Sequence, residues 1–249
     1  SDDLSDGLFT SGSFTYEGQY RFNAAREKHF VTQSLARLHI TGTTAPASSE
    51  AVVANLIYNT EVKQLKLILT DSPNNYVSPS TTLKSEISLQ PVELTNGSLW
   101  NVSFGVTSGE STKSLNSGSL FLRAAYADDN TIAELKSTSS FYNRPLDTAL
   151  HPLTVLSTTS SLNTSGSFIV IGSQSLGGDS SGMFINDKNL ETSLRTTYFS
   201  GELGAVRFWS KELTLDEWKT HVKNPHSLGV QDPSKNYLYD KIKTGSFEK

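Results

Sequence analysis

Strict alternation of side chains between Ser13 and Phe22 limits the architectures that are open to this chain. Aromatic residues and one glycine share one parity in this segment, namely Phe14, Tyr16, Gly18, Tyr20 and Phe22. The residues between them are polar, and a repeat of two places each set on its own face of a β-strand. The segment therefore predicts a strand whose aromatic face lies in a core.

Further strand patterns occur along the chain, separated by turn-forming residues. We predict strands at residues 34–42, 52–58, 62–69, 87–94, 99–106, 119–127, 131–135, 153–156, 167–171 and 199–209. In the first of these, alternation places Leu35 and Arg37 on one face and Leu38 on the other. Pro91 interrupts the fourth, which indicates an edge strand or a bulge.

One helix is predicted, directly after the last strand. Thr214 and Glu217 have the spacing of a capping box, in which each side chain bonds the backbone N–H of the other. Leu215, Trp218 and Val222 then share one face, and an Asn-Pro pair at 224–225 ends the helix. A helix this short needs tertiary contacts, so we expect this apolar face to dock on the strands.

About ten strands and one late helix predict an all-β sandwich. We find no long linker, so residues 1–249 are expected to form a single domain with a core of about 10–225. Trp100, Trp209 and Trp218 are expected to fill the sandwich. Residues 244–249 read like the start of another strand, and the chain is therefore expected to be a fragment of a longer polypeptide.

Composition narrows the classes of function. The chain has no cysteine, which excludes disulfides, zinc–thiolate sites and thiol nucleophiles. Its net charge is -4 and no basic block occurs, so nucleic acid is not expected as a partner. No apolar run approaches the roughly 20 residues that span a bilayer, so membrane insertion is not expected either.

The last predicted strand and the helix after it carry a family resemblance. The residues concerned are Gly201, Leu203, Val206, Arg207, Phe208, Trp209, Leu213, Thr214 and Glu217. They resemble the final strand and helix of laminin-G-like, concanavalin-A-like jelly rolls of the pentraxin type. Weaker similarities at 100–104, 119–126 and 168–172 extend the resemblance over residues 10–225. It implies an antiparallel jelly-roll β-sandwich with one short helix after the last core strand.

Arg207 needs no ligand to explain its place in this pattern. A strand arginine beside two aromatic residues can stack on a ring and pair with a nearby carboxylate. Ring stacking and pairing with a carboxylate are therefore the alternatives to ligand binding at Arg207.

The C-terminal residues limit the resemblance to a narrower group of proteins. Residues 221–233 and 236–239 are similar to the segment that comes directly after this jelly roll in large tailed-phage virion structural proteins. This implies a non-catalytic structural or attachment module of a virion, located in the particle or at an extracellular surface. Its partners would be other virion proteins or copies of itself. The alternative is a lectin-like carbohydrate-binding module whose partner is a cell-surface glycan.

Residues for catalysis are not found. Glucanases of the same fold need paired carboxylates in an E-x-D-x-x-E strand, and the chain has no such motif. The five histidines include no H-x-x-x-H or H-E-x-x-H spacing. His221 and His226 flank the end of the predicted helix, where a cation is favourable. We therefore expect no enzyme activity and no metal-ligating histidine.

One oxygen-rich triplet, at Asp128, Asp129 and Asn130, is the only candidate for ligand binding. Calcium takes six to eight oxygens, so this triplet would need further ligands such as Asp179, or Asn186 and Asp187. A plain turn between two strands is the favoured interpretation. No metal site and no cofactor are therefore predicted, with calcium as the single alternative.

Overall fold

The computed structural model describes residues 13–23, 32–42, 51–71, 84–108, 117–143, 162–175, 196–225 and 227. These residues form twelve strands and one helix. The strands are β1 (Phe14–Phe22), β2 (Thr32–Gly42), β3 (Ala51–Asn59), β4 (Gln64–Asp71), β5 (Lys84–Leu89), β6 (Trp100–Ser108), β7 (Ser117–Asp128), β8 (Thr131–Asn143), β9 (Leu162–Ile171), β10 (Ser173–Ser175), β11 (Thr196–Tyr198) and β12 (Gly201–Trp209). The helix is α1 (Leu215–Lys223). The predicted strand at 153–156 lies outside the described residues.

The strands form two large antiparallel sheets that pack face to face. Sheet A has the order β12-β1-β6-β7-β8, and sheet B has the order β5-β4-β3-β2-β9. Strands β10 and β11 form a separate two-stranded sheet. The predicted all-β sandwich is thereby confirmed.

The main core lies between the inner faces of the two sheets. In β1, the aromatic parity faces this core as predicted, and the ring of Phe14 stacks on Phe208 of β12 at 5.4 Å. Trp100 of β6 lies in the same core against Tyr126, with ring centroids 4.7 Å apart. Sheet B contributes the aliphatic side of this core, including Leu38, Ala54, Leu56, Leu65, Leu67, Leu69, Ile87 and Leu89.

A bulge in β2 changes the predicted faces of that strand. The pairing of β2 with β3 shifts between Ser34 and Ala36, so the intervening Leu35 joins the main core. Arg37 lies opposite Asn55, on the outer face of sheet B. The prediction that Leu35 and Arg37 share a face is therefore wrong, because one extra residue reverses the alternation.

The strand predicted at residues 87–94 ends earlier than expected. β5 ends at Leu89, ahead of Pro91, because proline cannot donate to a ladder. It is nevertheless an edge strand, as the proline indicated. The segment beyond it returns to the core, where Val92 and Leu94 are buried and Tyr58 Oη donates to the Val92 carbonyl at 2.7 Å.

The helix packs on the outer face of sheet A and not in the main core. Its capping box is present as predicted. A second apolar cluster lies between α1 and strands β7 and β8, made of Ala125, Trp209, Leu213, Trp218 and Val222. Trp209 and Trp218 are fully buried. They lie in this second cluster and not between the two sheets, so the expectation that they fill the sandwich is wrong. Leu215 was predicted to lie on the docked face of the helix. It is 37% exposed and does not belong to that face.

Candidate functional site

A row of polar residues crosses the outer face of sheet A. The residues are direct neighbours from strand to strand, in the order Arg207, Glu17, Ser103, Arg123 and Ser137. They face outward because the alternate residues of β1, β6 and β7 point into the main core. Part of the row is buried, and the side chain of Glu17 is only 2% exposed.

Glu17 is the centre of a buried hydrogen-bonded cluster. Its Oε1 accepts from Arg207 Nη1 at 3.1 Å and from Trp209 Nε1 at 3.2 Å. Its Oε2 lies 3.1 Å from Nδ1 of His221, which is fully buried. The pairing with a carboxylate considered for Arg207 is therefore present, and both oxygens of that carboxylate are occupied.

The environment of Glu17 favours the charged carboxylate. Burial raises its pKa, but the hydrogen bond and charge of His221, together with Arg207, lower the pKa of Glu17 below its ordinary value. A carboxylate that is buried and bonded at both oxygens is poorly placed to take a proton from a substrate. The arrangement instead fastens the helix to the sheet.

His221 joins the last turn of α1 to this cluster. Its ring stacks on Trp209 with centroids 5.1 Å apart and an interplanar angle of 20°. Its Nε2 is buried and has no hydrogen-bond partner among the described residues. The sequence indicated only a favourable charge at the helix end, and the structure adds contacts to two strands of sheet A. His226 lies outside the described residues.

The connection between β12 and α1 is also bonded to sheet A. Thr15 Oγ1 donates to the Lys211 carbonyl and accepts from the Leu213 N–H, both at 2.9 Å. Arg123 Nη1 donates to the Leu213 carbonyl at 2.7 Å, and its Nη2 lies 3.5 Å from Glu212. Side chains of β1 and β7 thus satisfy the backbone just before the helix.

A third contact places the centre of the helix. The indole Nε1 of Trp218 donates to Asn101 Oδ1 of β6 at 2.9 Å. At the start of the helix, Lys211 Nζ lies 2.8 Å from Glu217, whose other oxygen accepts from the Thr214 N–H. Polar groups therefore fix the helix at its start, its centre and its end.

The oxygen-rich triplet forms the turn between β7 and β8. Asp128 pairs with Thr131, and the two residues between them have positive φ, 47° at Asp129 and 62° at Asn130. Two successive left-handed residues are typical of a type I′ hairpin turn. All three side chains are exposed. Asp179, Asn186 and Asp187 lie outside the described residues.

In the parts of the chain that the structure describes, no group of three His, Asp or Glu side chains is close enough to hold a metal ion. No described helix has the length and apolar character needed to cross a membrane.

The last strand of sheet A, β8, is the longest in the structure and lies at an edge. It has 13 residues and pairs with β7 along one side only, among the described residues. Many of its side chains are exposed, including Phe141 at 66%. Glu134 and Lys136 lie on one face of it, 3.8 Å apart, and both are about one-third exposed or more. No other described strand pairs with the second side of β8.

Comparison with protein families and with curated proteins gives no match. No protein-family model and no curated protein matches the sequence. The interpretation of this chain therefore depends on its own residues and geometry.

Sequence reasoning missed Glu17, the most buried charged residue of β1. Glu17 occupies the polar parity of β1, which is typical of solvent-exposed residues. Its partners Arg207 and His221 are far away in the chain, so no local spacing marks them. The one available signal was Arg207, an arginine in an aromatic strand that requires a carboxylate.

Proposed function

We propose that this chain is a non-catalytic structural or attachment module of a virion, of the laminin-G-like jelly-roll type, that makes contacts with other proteins. One observation carries this proposal, the long edge of β8, along which no second described strand pairs. An unpaired strand edge presents a row of N–H and C=O groups that another chain can bind. A 13-residue strand offers an edge of about 40 Å, at about 3.3 Å per residue.

Two further observations support a structural role. The most buried charges on the outer face of sheet A, at Glu17, Arg207 and Arg123, are engaged in internal contacts. The residues that carry the family resemblance form a last strand followed by a capped helix, as the resemblance implies. Both agree with a rigid platform that is used through its edges.

The test of this function is the location of the chain. We expect mass spectrometry of purified virus particles from the source to detect peptides of this chain in a fixed stoichiometry with a major structural protein. Its absence from the particles would contradict the proposal. Turnover of a polysaccharide by the purified protein would contradict the non-catalytic part, particularly if Glu212→Gln or another single carboxylate change abolished it.

Carbohydrate binding is the alternative, and Phe141 is the observation that favours it. An aromatic ring that is 66% exposed beside the serines of β8 offers an apolar face with hydroxyl groups around it. A glycan array, run with and without EGTA, tests this alternative. Binding that is lost in Phe141→Ala but kept in Leu203→Ala would support it, because Leu203 is an exposed apolar residue on β12, at the opposite edge of sheet A.

A further inference from the structure

We propose that Asn96 is a site of spontaneous deamidation, and that the modification releases the buried Trp100 from the turn that precedes β6. Asn96 lies in the short connection between two core residues, Leu94 and Trp100. The reaction needs water as its only co-reactant, so it goes beyond the proposed function and does not depend on it.

The pair Asn96-Gly97 has the chemistry that favours this reaction, and it is the only asparagine followed by glycine in the chain. The backbone nitrogen of the next residue can close a ring on an asparagine carboxamide, and glycine has no Cβ to hinder that approach. Gly97 has a φ of 84°, and a Cβ built there would meet no atom of the described residues within 4 Å. Asn96 is itself exposed, so water reaches its carboxamide.

The hydrogen bonds of Asn96 engage the oxygen of its carboxamide. Oδ1 accepts from the Ser98 N–H at 2.9 Å and from Trp100 Nε1 at 3.0 Å. Negative charge develops on this oxygen when the ring closes, and N–H donors stabilise such a charge. Nδ2, the group that leaves, has no hydrogen-bond partner among the described residues. The turn therefore polarises the carboxamide and leaves the departing nitrogen to water.

The reaction has two steps. First, the backbone nitrogen of Gly97 bonds to Cγ of Asn96, the Cγ–Nδ2 bond breaks, and the proton of that backbone nitrogen leaves with ammonia. One water then opens the resulting succinimide ring. Opening at the Cγ carbonyl gives an ordinary aspartate, whereas opening at the main-chain carbonyl gives an isoaspartate, in which the chain runs through Cγ.

The isoaspartate product changes the contact with Trp100. Its chain is longer by one methylene group between Leu94 and Trp100, which are both fully buried. Close-packed core side chains do not shift easily, so the extra length must be taken up in the turn. The oxygen that accepted from Trp100 becomes a main-chain carbonyl oxygen, and the indole N–H loses it. The aspartate product keeps a side-chain carboxylate at this position and therefore keeps the bond.

Ageing of the purified whole chain tests the site. After incubation at mildly alkaline pH, we expect peptide mapping to locate at Asn96 the gain in mass that corresponds to replacement of NH2 by OH. A synthetic peptide of residues 93–100 sets the reference rate, and the folded protein should react within about tenfold of it. Asn130 is the internal control, because it is also exposed in a turn but precedes Thr131, and it should stay unmodified.

Two variants separate the chemistry of the pair from the exposure of the turn. Gly97→Ala should slow the reaction about tenfold or more, because its Cβ hinders the approach of the backbone nitrogen. Alanine is strained at a φ of 84°, so circular dichroism checks that this variant is folded. Asn96→Asp supplies the aspartate product directly and should release no ammonia from this residue.

The indole protons report the consequence for the core. The chain has three tryptophans, and their indole nitrogens donate to three different side chains, Trp100 to Asn96, Trp209 to Glu17 and Trp218 to Asn101. By NMR of the separated isoaspartate form, we expect the indole proton of Trp100 to exchange with solvent about tenfold faster, as the loss of one hydrogen bond implies. The other two indole protons should keep their rates, and Asn96→Asp should keep the rate of Trp100. The Trp100→Phe variant assigns the signal.

Each part of this proposal can fail separately. Asn96 that stays unmodified in the folded protein over several half-lives of the peptide would overturn the site. Equal gains in mass at Asn130, or an unchanged rate in Gly97→Ala, would refute the role of the Asn-Gly pair. An isoaspartate form in which Trp100 exchanges at its original rate would contradict the release. None of these results bears on whether the chain occurs in virus particles, so this proposal and the proposed function are tested independently.

Discussion

Glu17 and His221 are 204 residues apart in the chain, yet the Glu17 carboxylate lies 3.1 Å from the His221 ring nitrogen. The first described strand and the only described helix are joined by this contact in the interior of the protein. Arg207 and Trp209 bind the same carboxylate from the last strand. One buried charge therefore fixes three elements on the outer face of sheet A.

Removing that charge should destabilise the fold strongly. We expect Glu17→Gln to lower the free energy of unfolding by about 3–5 kcal/mol, because it leaves Arg207 without its buried partner. Denaturant titration measures the change. Glu202→Gln is the matched control, since Glu202 pairs with Arg21 on the same two strands but is 75% exposed, and should change stability by less than about 1 kcal/mol. Equal effects of the two variants would contradict a special role for Glu17.

The same carboxylate should make stability depend on acid pH. The pKa of Glu17 is lowered in the folded protein, so the unfolded chain takes up this proton at a higher pH than the folded chain does. Its stabilising contribution is complete above the unfolded pKa and is lost as the pH falls through the folded pKa. We expect titrations from about pH 7 to about pH 3 to show a smaller acid loss of stability in Glu17→Gln than in the unsubstituted protein. Parallel pH profiles would refute this.

The helix should depend on Trp218 and hardly on Leu215. Trp218 is fully buried and donates to Asn101, whereas Leu215 is 37% exposed. We expect Trp218→Ala to cost about 3–5 kcal/mol of unfolding free energy. Leu215→Ala, on the same helix, should cost well under that. An unchanged denaturation midpoint for Trp218→Ala would contradict the docking of the helix through this side chain.

Glu212 lies just before the capping box and is only partly exposed. Its carboxylate lies 3.5 Å from the buried Arg123, and its side chain is 35% exposed. Glu212→Ala should therefore have a measurable cost of about 1 kcal/mol, which is larger than that of a fully solvated surface pair. Combining it with Arg123→Met in a double-mutant cycle should reveal the coupling, and strictly additive effects would contradict it.

The turn at Asp129 and Asn130 can be separated from a calcium site by one substitution. Asn130→Gly removes a ligand oxygen but suits the φ of 62°, so we expect unchanged or slightly higher stability. Asn130→Val should cost about 1–2 kcal/mol, because a left-handed conformation is strained for that residue. Calcium should not shift the melting temperature of any of these proteins. A calcium-dependent rise that disappears in Asn130→Gly would establish a metal site.

Local sequence patterns predicted where strands and the helix lie. They predicted less well which surroundings each side chain of those elements faces. Alternation in β1 and the capping box of α1 depend on near neighbours in sequence, and both were readable from the sequence. The bulge at Leu35 depends on the pairing of β2 with β3. A one-residue bulge reverses every subsequent side chain, and the sequence of a single strand does not mark it.

The candidate site was less predictable, for a related reason. Arg207 indicated that a carboxylate was needed, but the choice of Glu17 depends on the β1–β12 register. Trp209 and Trp218 were correctly expected to be buried, yet their hydrophobicity does not specify which side of a sheet they face. The second cluster exists because α1 folds back over sheet A, which is a property of the whole topology.

The position of Glu17 has a consequence for the order in which the chain can complete its fold during synthesis. Arg207, Trp209 and His221 are made 190, 192 and 204 residues after Glu17. Until then, a nascent chain carries a carboxylate on the face of β1 with none of these partners. Sheet A therefore reaches its final state only after α1 has been synthesised. A ribosome that pauses before residue 201 holds a sheet that lacks its edge strand β12 and the helix that covers Glu17.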